Sequence, residues 1–200
     1  MAISKKVIGF MENSSWIRKM FEEGIRLKQE FGAENVFDLS LGNPVMEPPA
    51  EVRKALIESA QDETPGLHRY MPNAGLADVR AVIAESLSPE CKVELSANDI
   101  VMVCGAAGGI NIALKALLDP GDEVVIFTPY FVEYLFYADN HGGKAVAVPT
   151  LDDFHLDFSA LKKALNERTK AVIINSPNNP TGVVYTRQEL QELGNILKAH

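Results

Sequence analysis

From about residue 99 onward, short apolar runs alternate with stretches whose apolar positions recur every three to four residues. The runs near 99 to 104, 123 to 127, 144 to 148 and 170 to 175 read as strands, and 106 to 118, 130 to 140 and 157 to 167 as the intervening helices. Alternation of this kind is the βαβ pattern, and it predicts an α/β domain. Thr186 and Glu189 have capping-box spacing, so a further helix opens there and is still running at His200. That predicts a domain continuing past His200.

The earlier part of the chain has only the helical period. SSWIRKMFEEGIRLKQEF (14 to 31) sets Ile17, Met20, Phe21 and Phe31 on one stripe with charges opposite, an amphipathic arm. Pro48 and Pro49 stand where a helix start tolerates missing N–H donors. Val52, Ala55, Leu56 and Ala60 then recur at helical spacing until Pro65 and Gly66 end the run, and another helix spans about Gly75 to Leu87.

Two junctions carry candidate chemistry. In AVIINSPNNPTG (171 to 182), two prolines fix φ on either side of an asparagine pair, and Gly182 permits a turn closed to other residues. The result is a rigid shelf at the carboxyl end of a strand, where open α/β sheets bind ligands. Alone, an NPxG sequence would be an ordinary turn. In CGAAGG (Cys104 to Gly109), glycine and small residues between strand and helix let N–H groups approach an anion at the helix start. The turn is neither a Walker A loop nor GxGxxG, and close helix-to-strand packing would explain its glycines equally well.

Three further stretches, LSLGNP (39 to 44), HRYMPNAGLADVR (68 to 80) and VMVCGAAGGINIALKALLDPGDEVVIFTPYFVEY (101 to 134), join AVIINSPNNPTG in order and spacing. Together they resemble the class I/II aminotransferases, pyridoxal-phosphate (PLP) enzymes of fold type I, over nearly the whole chain from about Val36. The resemblance implies a three-layer αβα large domain with a mostly parallel sheet, incomplete here and spanning 46–200. It also implies that residues 1–45 are an amino-terminal arm belonging to a small domain. It further implies that Gly105, Ala106 and Ala107 hold the PLP phosphate, although the family's usual Ser or Thr hydroxyl is missing, and that Phe131 stacks on the pyridine ring. Asn179 would hydrogen-bond the phenolic oxygen and serve the substrate site, while Asn178 stabilises the turn and Tyr134 packs. Gly42 would meet the substrate carboxylate, and Tyr70 would reach the phosphate bound by a partner subunit. The family's Schiff-base lysine and its pyridine-pairing aspartate lie downstream of the NPTG turn, beyond residue 200. No catalytic residue is therefore expected in this chain, and Lys115, Lys144 and Lys170 lack the required context.

Composition narrows the classes. Hydrophobic residues make up 46% of 200, enough for a real core. With 19 basic against 27 acidic residues and no basic cluster, nucleic acid is a poor partner. Cys91 and Cys104 are isolated, which suggests free thiols and no metal site. The apolar patch from Val7 to Met11 is too short for a signal peptide, and no run approaches a membrane span, so a cytoplasmic protein is expected. The resemblance then implies a homodimeric aminotransferase acting on an amino acid and a 2-oxo acid. A PLP lyase or synthase of the same fold, or a non-catalytic binding or assembly module, remains open.

Overall fold

The computed structural model describes residues 2–200 except 14, 40, 41 and 43–45, with the main chain alone for 11–13 and 15–18. The chain forms two compact units, Met1–Arg69 and Tyr70–His200. The first holds α1 (Lys5–Asn13), α2 (Ser15–Phe31), a 3-10 turn (Ala33–Asn35) and α3 (Ala50–Gln61). The second holds α4 (Ala77–Cys91), a 3-10 turn (Ala97–Asp99), α5 (Gly105–Leu117), β1 (Glu123–Thr128), α6 (Glu133–Asp139), β2 (Lys144–Pro149), α7 (Phe158–Ala164), β3 (Thr169–Ile173) and α8 (Arg187–Ala199).

In the first unit the amphipathic arm is present as α2, preceded by α1, which the sequence reading did not anticipate. Gly24 is the one buried position among its described residues, facing Asp38, whose carboxylate takes the Lys28 ammonium at 2.7 Å. Helix α3 starts after Pro49 as expected but ends at Gln61, short of Pro65. Its apolar side chains are open to water, Leu56 by 67%. The apolar stripe of α2 is likewise exposed at Met20, Phe21 and Phe31, and Ile17 lies outside the described side chains.

The second unit is built around β1. The three strands run parallel in the order β2-β1-β3, with Val125 opposite both Val146 and Val172. Successive side chains of a strand point to opposite faces, and both faces of β1 are covered. Val124 and Ile126 pack with Leu114 and Leu118 at the end of α5 and Ala138 of α6. On the other face, Val125 and Phe127 pack with Leu161 of α7, Tyr185 and Leu193 of α8. The outcome is the expected three-layer αβα arrangement. The buried Glu123 at the start of β1 accepts from Asn166 Nδ2 at 2.7 Å and from Arg168 Nη2 at 3.0 Å, so its charge is compensated.

One expected strand is absent. Residues 100–103 form no strand and pair with none of the described ones, and Val101, Met102 and Val103 stay exposed. A strand is a ladder, and no described segment supplies the hydrogen-bonding neighbour that this apolar run needs. Helix α4 runs on to Cys91 rather than Leu87, with Pro89 inside its last turn. There the Ser88 hydroxyl donates to Ala84 O at 2.7 Å and accepts from Leu95 N at 3.0 Å, which fastens the end of the helix to the chain that follows.

Leu161 is fully buried between sheet and helix. Leu161→Ala is expected to lower unfolding free energy by about 2–5 kcal/mol, and Leu56→Ala by less than about 0.5 kcal/mol, in urea titrations. Equal losses would contradict the placement of the core.

Candidate functional site

Two loops leave the carboxyl edge of the sheet, Pro129–Val132 after β1 and 174–186 after β3. Asn178 joins them: its Nδ2 donates to Pro129 O at 3.2 Å and to Thr181 Oγ1 at 3.0 Å. Its main chain closes the turn, N–H to Val183 O at 2.9 Å and carbonyl from Gly182 N–H at 2.7 Å. Gly182 has φ +76, the conformation for which the sequence needs glycine. Asn175 Oδ1 accepts from Asn179 N at 2.9 Å, and Ser176 Oγ accepts from Tyr185 N at 3.1 Å. The side chains of Asn175, Ser176 and Asn178 are thus spent on the loop. The exposed Asn179 amide has no hydrogen-bond partner among the described residues.

Tyr185 pins the loop from below; burial pushes its phenol up, and the Glu189 charge adds to that. Beneath the loop, Ile126, Tyr130, Ile173 and Asn175 leave a hollow of only about 10 Å³, at the lower limit for one water. A ligand therefore has room above this floor rather than within it. Helix α8 starts where Thr186 and Glu189 form the expected capping box. Glu189 Oε1 also meets His155 Nδ1 at 2.8 Å. Burial alone would raise the Glu189 carboxyl, but donors from Thr186, His155 and Leu156 outweigh it and hold the group below its usual 4.5.

The turn before α5 reaches the same edge. Helix α5 and strand β1 are each about 20 Å long. At the opposite end of the sheet, Leu118 abuts Gly143 and Gly121 N donates to Gly142 O at 2.9 Å. The amino end of α5 therefore comes level with Thr128. Gly105 has φ +68 and open space where a Cβ would stand, so backbone conformation explains it. A Cβ at Gly109 would come 3.4 Å from Val103 Cγ2, an ordinary contact, so packing does not demand glycine there.

Cys104 precedes the helix without a side-chain cap, and Gly105, Ala106 and Ala107 are exposed. The first N–H groups of a helix have no partner inside it. Gly105 is an exception, since its N–H meets Val103 O at 3.1 Å, which leaves Ala106 and Ala107 as the amides the turn offers. Asn111, which the sequence reading did not single out, braces this turn: its Nδ2 donates to Ala107 O at 2.9 Å while its Oδ1 accepts from Asn140 Nδ2 at 3.2 Å.

Phe131 is 37% exposed at this edge and meets Tyr134 edge to face at 5.7 Å. Tyr134 packs against the α5–α6 core, and burial raises its phenol. Tyr70 is fully exposed at the start of the second unit. In the first unit Gly42 is exposed, whereas Ser40, Leu41, Asn43 and Pro44 of the LSLGNP stretch lie outside the described residues. Among the described residues no cluster could hold a metal ion, and no helix is long and apolar enough to cross a membrane.

Residues 34–200 match the family described as aminotransferase class I and II. The chain belongs to that family. It is 37% identical to the aspartate aminotransferase of Bacillus subtilis over 168 residues, 83% of this chain and 42% of that protein. The aspartate aminotransferase of Pyrococcus abyssi is also 37% identical, over 94% of this chain and 47% of its own length. The crystal structure of an aminotransferase from Eubacterium rectale superposes with a TM-score of 0.91 at 35% identity, covering all of this chain and 51% of that one. The chain thus spans about half the length of the relatives it matches.

Class I/II aminotransferases depend on PLP, and the described residues fit that group. Free amides at an uncapped helix start suit its phosphate, the unspent Asn179 amide suits its phenolic oxygen, and the half-open Phe131 ring offers a flat apolar face.

The split between the two asparagines is measurable. Asn178→Ala is expected to cost about 1–2 kcal/mol by thermal unfolding, and Asn179→Ala less than about 0.5 kcal/mol. The reverse order would exchange their assignments. Glu189, depressed in the folded state, contributes stability fully above its unfolded pKa, and loses it as pH falls through the lower folded value. The stability gap between wild type and Glu189→Gln should therefore shrink as pH falls through and below the usual carboxylate range. A gap independent of pH would show that the carboxylate is not held by these donors.

Proposed function

We propose that the full-length protein is a PLP-dependent aminotransferase moving an amino group between an L-amino acid and a 2-oxo acid. The observation that carries this reading is the meeting, on one sheet edge of a class I/II chain, of the open amides at 106–107 and the unspent Asn179 amide. The relatives are named as aminotransferases, which favours transfer over a lyase, a synthase or a binding module.

In this reading the Ala106 and Ala107 amides of the 105–107 turn bind the phosphate, and the α5 dipole favours its charge. Phe131 covers the ring and keeps water from it. Asn179 donates its amide to the phenolic oxygen, a hydrogen bond to a charged group worth about 1.5–3 kcal/mol. Gly42, exposed and without a side chain, leaves its backbone accessible to the substrate carboxylate. Bound in this way, PLP would supply the electron sink for charge developing at the α-carbon. Proton transfer falls to the family's downstream lysine, and no residue of 1–200 is assigned that role. Tyr70, with its ring open to solvent, is assigned to the phosphate site of a second subunit, which makes the enzyme a homodimer. Residues 1–45 would belong to the small domain and 46–200 to the large one, in a cytoplasmic protein.

The full-length gene product should transfer amino groups from L-amino acids, aspartate being tried first, to 2-oxoglutarate. Asn179→Ala should keep the fold and weaken PLP roughly ten- to a hundredfold, followed by absorbance titration. Absent transfer with every donor would overturn the activity, and unchanged PLP affinity in Asn179→Ala would remove Asn179 from the site.

A further inference from the structure

Arg80, in the first turns of α4, spends its guanidinium on main-chain carbonyls. Nε donates to Gly75 O at 3.2 Å, and Nη1 donates to Ala97 O and to Ile100 O at 3.4 Å. The same two segments touch directly, because Met102 N donates to Ala74 O at 2.9 Å. Gly75 is buried with φ +97, and a Cβ there would come within 2.9 Å of Met102 Cβ, so only glycine fits. Two residues beyond Met102 the chain enters the amide turn at Cys104, and five residues before Gly75 stands Tyr70.

The run 100–103 pairs with no strand among the described residues. Its described fastenings to the 74–80 region are the Met102–Ala74 main-chain bond and the Arg80 hydrogen bond to Ile100 O, with the Arg80 bond to Ala97 O holding the segment just before it. We propose that Arg80 is a positioning residue for phosphate recognition: it locks the loop that carries Tyr70 onto the run that ends in the 105–107 turn. What the turn binds rests on the cofactor reading above; the lock itself does not. A guanidinium suits the task because its planar donors can serve several carbonyls at once, whereas a lysine ammonium on a flexible stem cannot hold the same fork.

The test uses the full-length gene product as wild type, Arg80→Ala and Arg80→Lys, in hydrogen–deuterium exchange without cofactor and in titrations with PLP and with pyridoxal, which lacks the phosphate. Arg80→Ala should speed exchange in peptides covering 97–104, with Arg80→Lys intermediate, while peptides of β1 stay protected. PLP affinity should fall about tenfold, equivalent to ~1.4 kcal/mol, with pyridoxal affinity nearly unchanged. Unchanged exchange at 97–104 would overturn the proposal, as would exchange rising across the whole chain with equal losses for both ligands. If Arg80→Ala does not fold, Arg80→Lys carries both readings. If the wild type binds neither ligand, the cofactor reading falls and exchange alone decides: a rise confined to 97–104 upholds the lock, and none overturns it.

Discussion

Strand β1 is paired on both edges and covered on both faces, and the second unit is assembled on that double burial. Its even-numbered side chains seat α5 and α6, its odd-numbered ones seat α7 and α8, and among the described residues it alone of the three strands is paired on both sides. The carboxyl ends of β1 and β3 consequently finish side by side, and the amino end of α5 comes level with them. Each loop of the candidate site inherits its position from this packing. The first unit, in which Gly24 alone is buried among the described residues, has no comparable anchor.

On this edge the polar residues divide their work. Asn175, Ser176 and Asn178 satisfy backbone groups and hold the turn, while Tyr185 and the Thr186–Glu189 box fasten it to the core and to α8. Their engagement leaves Asn179 with an amide to offer a ligand. The α5 turn follows the same logic: Asn111 fixes a carbonyl on the helix side, and the amides of Ala106 and Ala107 remain open. Rigid support around a few unspent donors is the arrangement that preorganised binding requires.

Much of this was legible in the sequence because it is written in local patterns. The alternation from residue 123 onward, the capping box at Thr186 and the glycine turns each depend on a few neighbouring residues. The run 100–103 misled for the opposite reason: its apolar residues favour a strand, but a ladder needs a partner that no local pattern supplies. Arg80 and Asn111 are not legible in the sequence because a charged or polar residue in a helix looks like a solvated one until its carbonyl partners are brought together. The two asparagines at 178 and 179 are the same chemically, and the fold separates them by which amide is already bonded. That Gly105 turns its own N–H onto Val103 could not be read from composition at all.

On the proposed reading the cofactor sits on the supported edge of the sheet, at the 105–107 turn, Phe131 and Asn179. A crystal structure of the full-length gene product grown with PLP tests it most directly. The phosphate is expected against the Ala106 and Ala107 amides, the Asn179 side chain on the phenolic oxygen, and Phe131 over the ring. Cofactor density elsewhere, or a phosphate with no contact to the α5 turn, would contradict it.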